Sequence, residues 1–218
     1  DLHKAIRRQR QLCIRDSSML DKSIPYAEIW MERMAADEVA PVPDSNNYII
    51  QPYQSGDASE WARIETAVGE FDTEAAALAY FEKDFLPYES QLPQRMFFAV
   101  DPEGTKVGTA TAWWKKKQDG NIVPLVHWVA VIPSAQRQGI ARGLVTKVIE
   151  TCQNQTADSE ESAAAIFLHT QTWSHAAIGL YQQLGFKLID TDYQGQMNPE
   201  YEQVLTILRD VAQKENGQ

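Results

Sequence analysis

The stretch VHWVAVIPSAQRQGIARGLV, residues 126–145, restricts the fold more than any other part of the chain. An apolar run rich in strand-forming residues ends at Val131, and Pro133 blocks its continuation as an inner strand. Gln136-Arg137-Gln138-Gly139-Ile140-Ala141 then leads directly into IARGLVTKVIETC, where Ile140, Leu144, Val148 and Cys152 recur near one face of a helix. The first N–H groups of a helix point outward without intrahelical partners, and the helix dipole adds partial positive charge there. Gly139 permits positive φ and a close backbone approach, Ala141 keeps the next turn small, and Arg137 and Arg142 add charge. Such a turn can cradle a diphosphate. An ordinary strand–loop–helix connection also tolerates a glycine, so the reading rests on the whole Q-x-x-G-x-A string and on a second motif downstream.

The remaining segments decide what surrounds that turn. NYIIQPY reads as a strand, and SGDASEWARIETAV as a helix begun at Ser55 or Asp57. DTEAAALAYFEKDFL reads as a second helix, capped at Thr73 and stopped by Pro87. RMFFAV and VGTATAWW flank DPEGTK as a hairpin, and PLVHWVAV is the next strand. Beyond the helix from Ile140, QNQTADSEES is predicted as a polar loop and AIFLHTQTW as a largely apolar central strand. HAAIGLYQQL is a helix ended by Gly185, FKLIDTDY a strand, and NPEYEQVLTILRDVAQK a closing helix. The order β-α-α-β-β-β-α-β-α-β-α predicts an α/β fold, a mixed sheet with helices on both faces. Residues 1–46 are predicted as an N-terminal extension, with Arg7, Arg8, Arg10 and Arg15 at its start and AADEVAPVPDSNN at its end. Its middle, IPYAEIWMERM, reads as a strand with Ile29, Met31 and Arg33 on one face or as a short helix, the favoured form being an extended arm packed on the main domain at 47–193. Residues 194–218 read as a C-terminal helix packed on that domain.

Composition narrows the function classes. The net charge of −10 disfavours binding to a phosphate backbone, and no apolar run reaches the ~20 residues of a membrane span. The start lacks the apolar segment of a signal peptide, and Cys13 and Cys152 stand far apart in no ligand-like spacing. A reducing cytoplasm, no metal, no nucleic acid and no membrane are therefore the expectations, with a homodimer left open.

The second motif is SHAAIGLYQQLGF, residues 174–186. With Gln136, Gly139 and Ala141, the positions Ser174, Ala177, Leu180, Tyr181, Gly185 and Phe186 make the chain resemble the GNAT superfamily of N-acetyltransferases over roughly residues 47–191. The resemblance implies a sheet splayed at its centre, the GNAT-like acyl-CoA N-acyltransferase fold, with acetyl-CoA as cosubstrate. It implies a pantetheine arm along the backbone of Val129, Ala130 and Val131, and a diphosphate on Gln136, Arg137, Gln138, Gly139, Ile140, Ala141 and Arg142. The acceptor it implies is a primary amine of a small molecule or peptide, attacking the thioester directly in a ternary complex. Two positions depart from the family pattern. Ser174 stands where asparagine is usual, and reads either as a cofactor contact or as a helix N-cap. No seventh strand is evident after Tyr193, where Asn198 and a helix follow.

Tyr181 follows Ser174 and Ala177 at helical spacing, and the resemblance makes it the donor to the leaving sulfur. The alternative is a core tyrosine. His127 shares a strand face with Leu125, Val129 and Val131, and reads as a base or water relay, or as a strand histidine bonded to a neighbour. His169 reads as structural, His175 as packing or solvent-facing, and His3 has no context. Trp61, Tyr80, Phe81, Phe85, Trp113 and Trp114 could line an acceptor pocket, though aromatics at such spacings more often form core. Glu70-Phe71-Asp72 lies where the family builds its acceptor wall, and its carboxylates could hold an ammonium or simply face solvent. A non-catalytic acyl-CoA sensor, or transfer of another acyl group or to a hydroxyl, stands as the alternative to amine acetylation.

Overall fold

The computed structural model describes residues 20–42, 47–157 and 165–216. The basic start with Cys13 and His3, residues 43–46 of the proline-rich segment and residues 158–164 lie outside the described residues. The strands are β1 (Glu28–Met34), β2 (Ile49–Pro52), β3 (Met96–Val100), β4 (Lys106–Lys116), β5 (Ile122–Val131), β6 (Ala165–Gln171) and β7 (Lys187–Ile189). The helices are α1 (Ala58–Ala67), α2 (Glu74–Asp84), α3 (Ile140–Ala157), α4 (His175–Gln183) and α5 (Tyr201–Asn216). The strands form one sheet in the order β2-β3-β4-β5-β6-β1-β7.

The meander β3–β5 follows from its turns. Asp101 closes the β3–β4 hairpin by accepting the Thr105 N–H on its carboxylate at 2.7 Å, and Gly104 takes φ +85° beside it. The β5–β6 pair is parallel because α3 carries the chain back across the sheet. Ile140, Leu144, Val145, Val148 and Cys152 of α3 bury into the larger core, which α4 and α5 complete with Ile178, Val204 and Leu208. On the opposite face α1 and α2 enclose a second core around Trp61, Phe81, Phe85, Met96 and Phe98. Thr73 caps α2, accepting the Ala76 N–H at 3.2 Å, as its sequence position predicts.

Three findings refine the sequence reading. Residues 28–34, placed in the extension, stand inside the sheet between β6 and β7, antiparallel to both. Their alternation explains the place: Ile29, Met31 and Arg33 bury on the α3–α5 side, while Trp30 and Glu32 look to the other face. β1 thus fills the position next to β6, which is why no further strand is needed after Tyr193. Residues 153–157 of the predicted polar loop belong instead to α3, which runs to Ala157. Gln153 Nε2 donates to the carbonyls of Ala35 and Asp37 at 2.7 and 2.8 Å, tying that last stretch to the chain after β1. The strand after Phe186 ends at Ile189, because the Asp192 carboxylate gathers the N–H groups of Gln194 and Gln196 into a turn at Gly195.

Candidate functional site

β5 and β6 pair only at Leu125–Phe167 and Val126–Leu168, then part. Two features separate them. β4 and β5 slip register between Thr109 and Thr111, and Trp128 takes φ +49° within that bulge, which re-aims the end of β5. β6 meanwhile stays paired with β1 as far as Glu28–Gln171 and is drawn to the other side. The opening is a cleft of about 790 Å³. Val129, Ala130 and Val131 border it, with the backbone edge facing β6 left without a strand partner.

At one end of the cleft the loop after β5 meets α3. Gln136 holds the loop to the strand, Nε2 donating to the Val131 carbonyl at 2.5 Å. Arg137 and Gly139 both lie in the left-handed region, at φ +62° and +80°. The first intrahelical bond runs from Gly143 N–H to the Gly139 carbonyl at 3.0 Å. The N–H groups of Ile140, Ala141 and Arg142 precede it and have no acceptor one turn back within the helix. Apart from its two chain neighbours, no atom of the described residues lies within 4 Å of where a Cβ on Gly139 would sit, so the helix start is open. Gln136, Arg137, Gly139, Ile140, Ala141 and Arg142 border the cleft, and Arg142 donates to Gln183 of α4 across it. Gln138 does not. It borders a separate depression with Asp101 and Ser134, sent there by the left-handed turn at Arg137.

Tyr181, Ala177 and Ser174 line the wall formed by α4. Tyr181 is 6% exposed, and burial, reinforced by the charges of Glu70 and Glu65, raises its phenol so that it stays protonated. Ser174 occupies the N-cap position of α4, but its hydroxyl makes no cap hydrogen bond, because a 3-10 turn over Thr172–Ser174 runs straight into the helix. His127 borders the cleft from β5. Burial first, then Lys115 and His169, pull its imidazole down to about 3, so it is neutral at ordinary pH.

A splayed parallel pair over an open helix start, with a buried tyrosine on the next helix, is the geometry that the resemblance to the GNAT superfamily implies. The sequence model of the Acetyltransferase (GNAT) family matches residues 59–186, well over half the chain. The chain belongs to the GNAT acetyltransferase family. A mycothiol acetyltransferase of Arthrobacter sp. (strain FB24) is 26% identical over 177 residues, covering 77% of this chain and 52% of that protein. The chain thus spans about half the length of the curated relatives it matches. The crystal structure of a GCN5-related N-acetyltransferase from Sphaerobacter thermophilus superposes with a TM-score of 0.56 at 20% identity, over 76% of this chain and 49% of that one. An aminoglycoside N-acetyltransferase solved in complex with CoA superposes with a TM-score of 0.50 at 19% identity, over 67% of this chain and 91% of its own. These two likenesses establish the GNAT fold.

The other end of this GNAT cleft is made of side chains that share no motif. None of Trp61, Tyr80, Phe81, Phe85, Trp113 and Trp114 borders the cleft; Trp61, Phe81 and Phe85 are fully buried core. Trp128 lines it instead, stacked on Phe71 with ring centroids 5.6 Å apart. Glu70 borders it, accepting from Gln171 Nε2 at 3.3 Å, and burial raises its carboxyl. Glu65 borders it too, and sequence reasoning missed it: a single glutamate in an amphipathic helix gives no signal of its own. His169, also at the cleft, lies 3.5 Å from Glu28 and against the ring of Trp30, both carried by β1.

Proposed function

We propose that the protein transfers an acetyl group from acetyl-CoA to a primary amine of a small molecule or peptide, by direct attack in a ternary complex. The observation that carries this reading is the continuity of one cleft, from the open helix start at Gly139 along the parted edge of β5 to Tyr181. The residues suit the donor. Unpaired N–H groups at the start of α3 match a diphosphate, with Arg137 and Arg142 beside it, and the free edge at Val129–Val131 offers strand-like hydrogen bonds to a pantetheine arm. The family and the acetyltransferase names of the sequence relatives support the same donor. When bound, acetyl-CoA supplies an acetyl group already activated as a thioester.

The chain's own residues then position and handle protons. Tyr181 remains a phenol and donates a hydrogen bond where negative charge gathers on the leaving sulfur. Full transfer from an unperturbed phenol near ~10 to a thiolate near ~8.5 would be uphill by roughly 2 kcal/mol, and burial of Tyr181 widens the gap. Donation without transfer is the role that fits. His127, held neutral, accepts a hydrogen bond from the amine and orients it.

The test is thiol release from acetyl-CoA with tyramine, glucosamine, spermidine and the peptide Ala-Ala-Ala as acceptors. Tyr181→Phe removes only the hydroxyl and should lower kcat by roughly 10-fold to 10³-fold, with CoA affinity changed only a few-fold. CoA binding without turnover of any amine would sink the reading, and unchanged kcat in the variant would make Tyr181 a core residue only.

A further inference from the structure

Glu65 sits near the end of α1, 1% exposed, with its side chain at the cleft wall. Its Oε1 is completely buried and has no hydrogen-bond partner among the described residues. Buried polar atoms are almost always paired, and an unpartnered carboxylate in such a place costs several kcal/mol unless it is protonated or meets a cation. The helix end adds a second acid. Gly69, at φ +87°, turns the chain so that Glu70 N–H donates back to the Glu65 carbonyl at 3.1 Å, and Gly69 N–H to that of Thr66 at 3.0 Å. The fold therefore brings Glu70 back toward Glu65 at the same wall, where Gln171 and Lys22 partly satisfy it while Glu65 Oε1 stays without a partner.

Resting on the proposed acetyl transfer to an amine, we infer that Glu65 takes the proton from the acceptor's ammonium, and that Glu70 is the counter-charge that draws a cationic amine to it. The titratable groups around Glu65 are Glu70 in the following loop, Tyr80 from α2, His127 from β5 and Tyr181 from α4. Burial, then the charge of Glu70, moves the Glu65 carboxyl well above the usual carboxylate range. An ordinary carboxyl near ~4.3 and an alkylammonium near ~10.4 are about six units apart. Burial raises the first and lowers the second, so seating the pair in this cleft narrows the gap from both sides. His127 is displaced in the opposite direction and is the poorer acceptor.

The step balances without a further reactant. An N–H bond of the ammonium breaks and its proton goes to the Glu65 carboxylate. The freed lone pair forms the C–N bond to the acetyl carbon, the C–S bond breaks with its electrons on sulfur, and the second amine proton ends on the thiolate. Glu65 then returns its proton to solvent.

The experiment compares wild type with Glu65→Gln over pH 6 to 10, using whichever amine of the four-member panel is turned over fastest. Glu65→Gln should lower kcat/KM about 10²-fold near neutrality. Its rate should then climb about tenfold per pH unit toward the amine's own pKa, where free amine no longer needs a base, while wild type levels off once Glu65 is deprotonated. Affinity for CoA should be unchanged. Glu65→Asp should keep the levelling wild-type profile at a reduced rate. Without substrate, the melting temperature of Glu65→Gln should equal or exceed wild type at neutral pH, the difference vanishing as acid protonates Glu65. Matching pH profiles in wild type and Glu65→Gln would overturn this inference alone. So would a melting temperature lowered equally at every pH, which marks a structural residue. A wild type that binds CoA and turns over no amine overturns the acetyl-transfer reading and this inference with it.

Discussion

The two ends of the cleft are built from different materials. The end at Gly139 is backbone: N–H groups at a helix start, two left-handed residues and a side chain, Gln136, that binds its own strand. The end at Glu65 is side chains: two carboxylates, a neutral imidazole, a buried phenol and an indole, contributed by α1, its following loop, β5 and α4. The first is electropositive and partly exposed, the second acidic and buried. A backbone site demands particular residues at fixed spacing, because few types tolerate positive φ or leave room beside a phosphate. A side-chain site demands only that unrelated elements meet.

The largest effect should come from breaking the backbone end. Gly139→Val forces a β-branched residue into φ +80°, which costs about 1–2 kcal/mol. It meets no atom of the empty protein within 4 Å of its Cβ, so the chain should still fold. What it fills is the space over the helix start. Wild type should gain about 2.7 kcal/mol of stability at CoA concentrations near 100 times Kd, and the variant should gain none. A variant whose melting temperature still rises with CoA would move the diphosphate elsewhere.

The next effect sharpens the contrast in electrostatics. His127 sits at about 3 when folded against ~6.5 when unfolded. Between those values the unfolded chain binds the extra proton, so stability is lost as pH falls below ~6.5. His127→Gln cannot take that proton. It should therefore be less destabilised than wild type on acidification from pH 6.5 toward 4, with little difference above pH 7. Parallel acid-melting curves would show that His127 titrates normally, and would return it to the role of proton acceptor at the expense of Glu65.

The same contrast governs what the sequence could reveal. The turn at 136–142, the cap at Thr73, the hairpin at Asp101 and the helix carrying Tyr181 each depend on local rules, and each is found where those rules place it. β1 is legible as an extended segment with Ile29, Met31 and Arg33 on one face, but seven residues of alternation cannot say which strand they will join, and the partner β6 lies more than 130 positions away at Ala165–Gln171. The aromatic set reads more readily as core than as pocket, and Trp61, Phe81 and Phe85 do meet in the interior, while Trp128 takes the cleft because the bulge in β5 rotates it there. Glu65 was invisible for a related reason. Its meaning lies in Gly69 turning Glu70 back, in Tyr181 approaching from α4, and in a lone pair left without a donor.

The smallest effect separates two readings of one hydroxyl. Ser174 occupies an N-cap position by sequence, and an N-cap serine replaced by alanine usually costs about 0.5–2 kcal/mol. Here its backbone, at φ −95° and ψ 27°, is not the extended form that turns a cap side chain onto the next N–H groups, and no such bond is made. The hydroxyl instead belongs to a residue that lines the cleft on the α4 side, the same wall as Tyr181. Ser174→Ala should thus leave the melting temperature of the empty protein nearly unchanged, since even 1 kcal/mol would appear as about 2–4 °C in a chain of this size. Its effect should instead be confined to a few-fold loss of CoA affinity, the scale of one neutral hydrogen bond worth about 1 kcal/mol. A drop of several degrees with CoA affinity intact would restore Ser174 to the helix as a cap and remove it from the cofactor end.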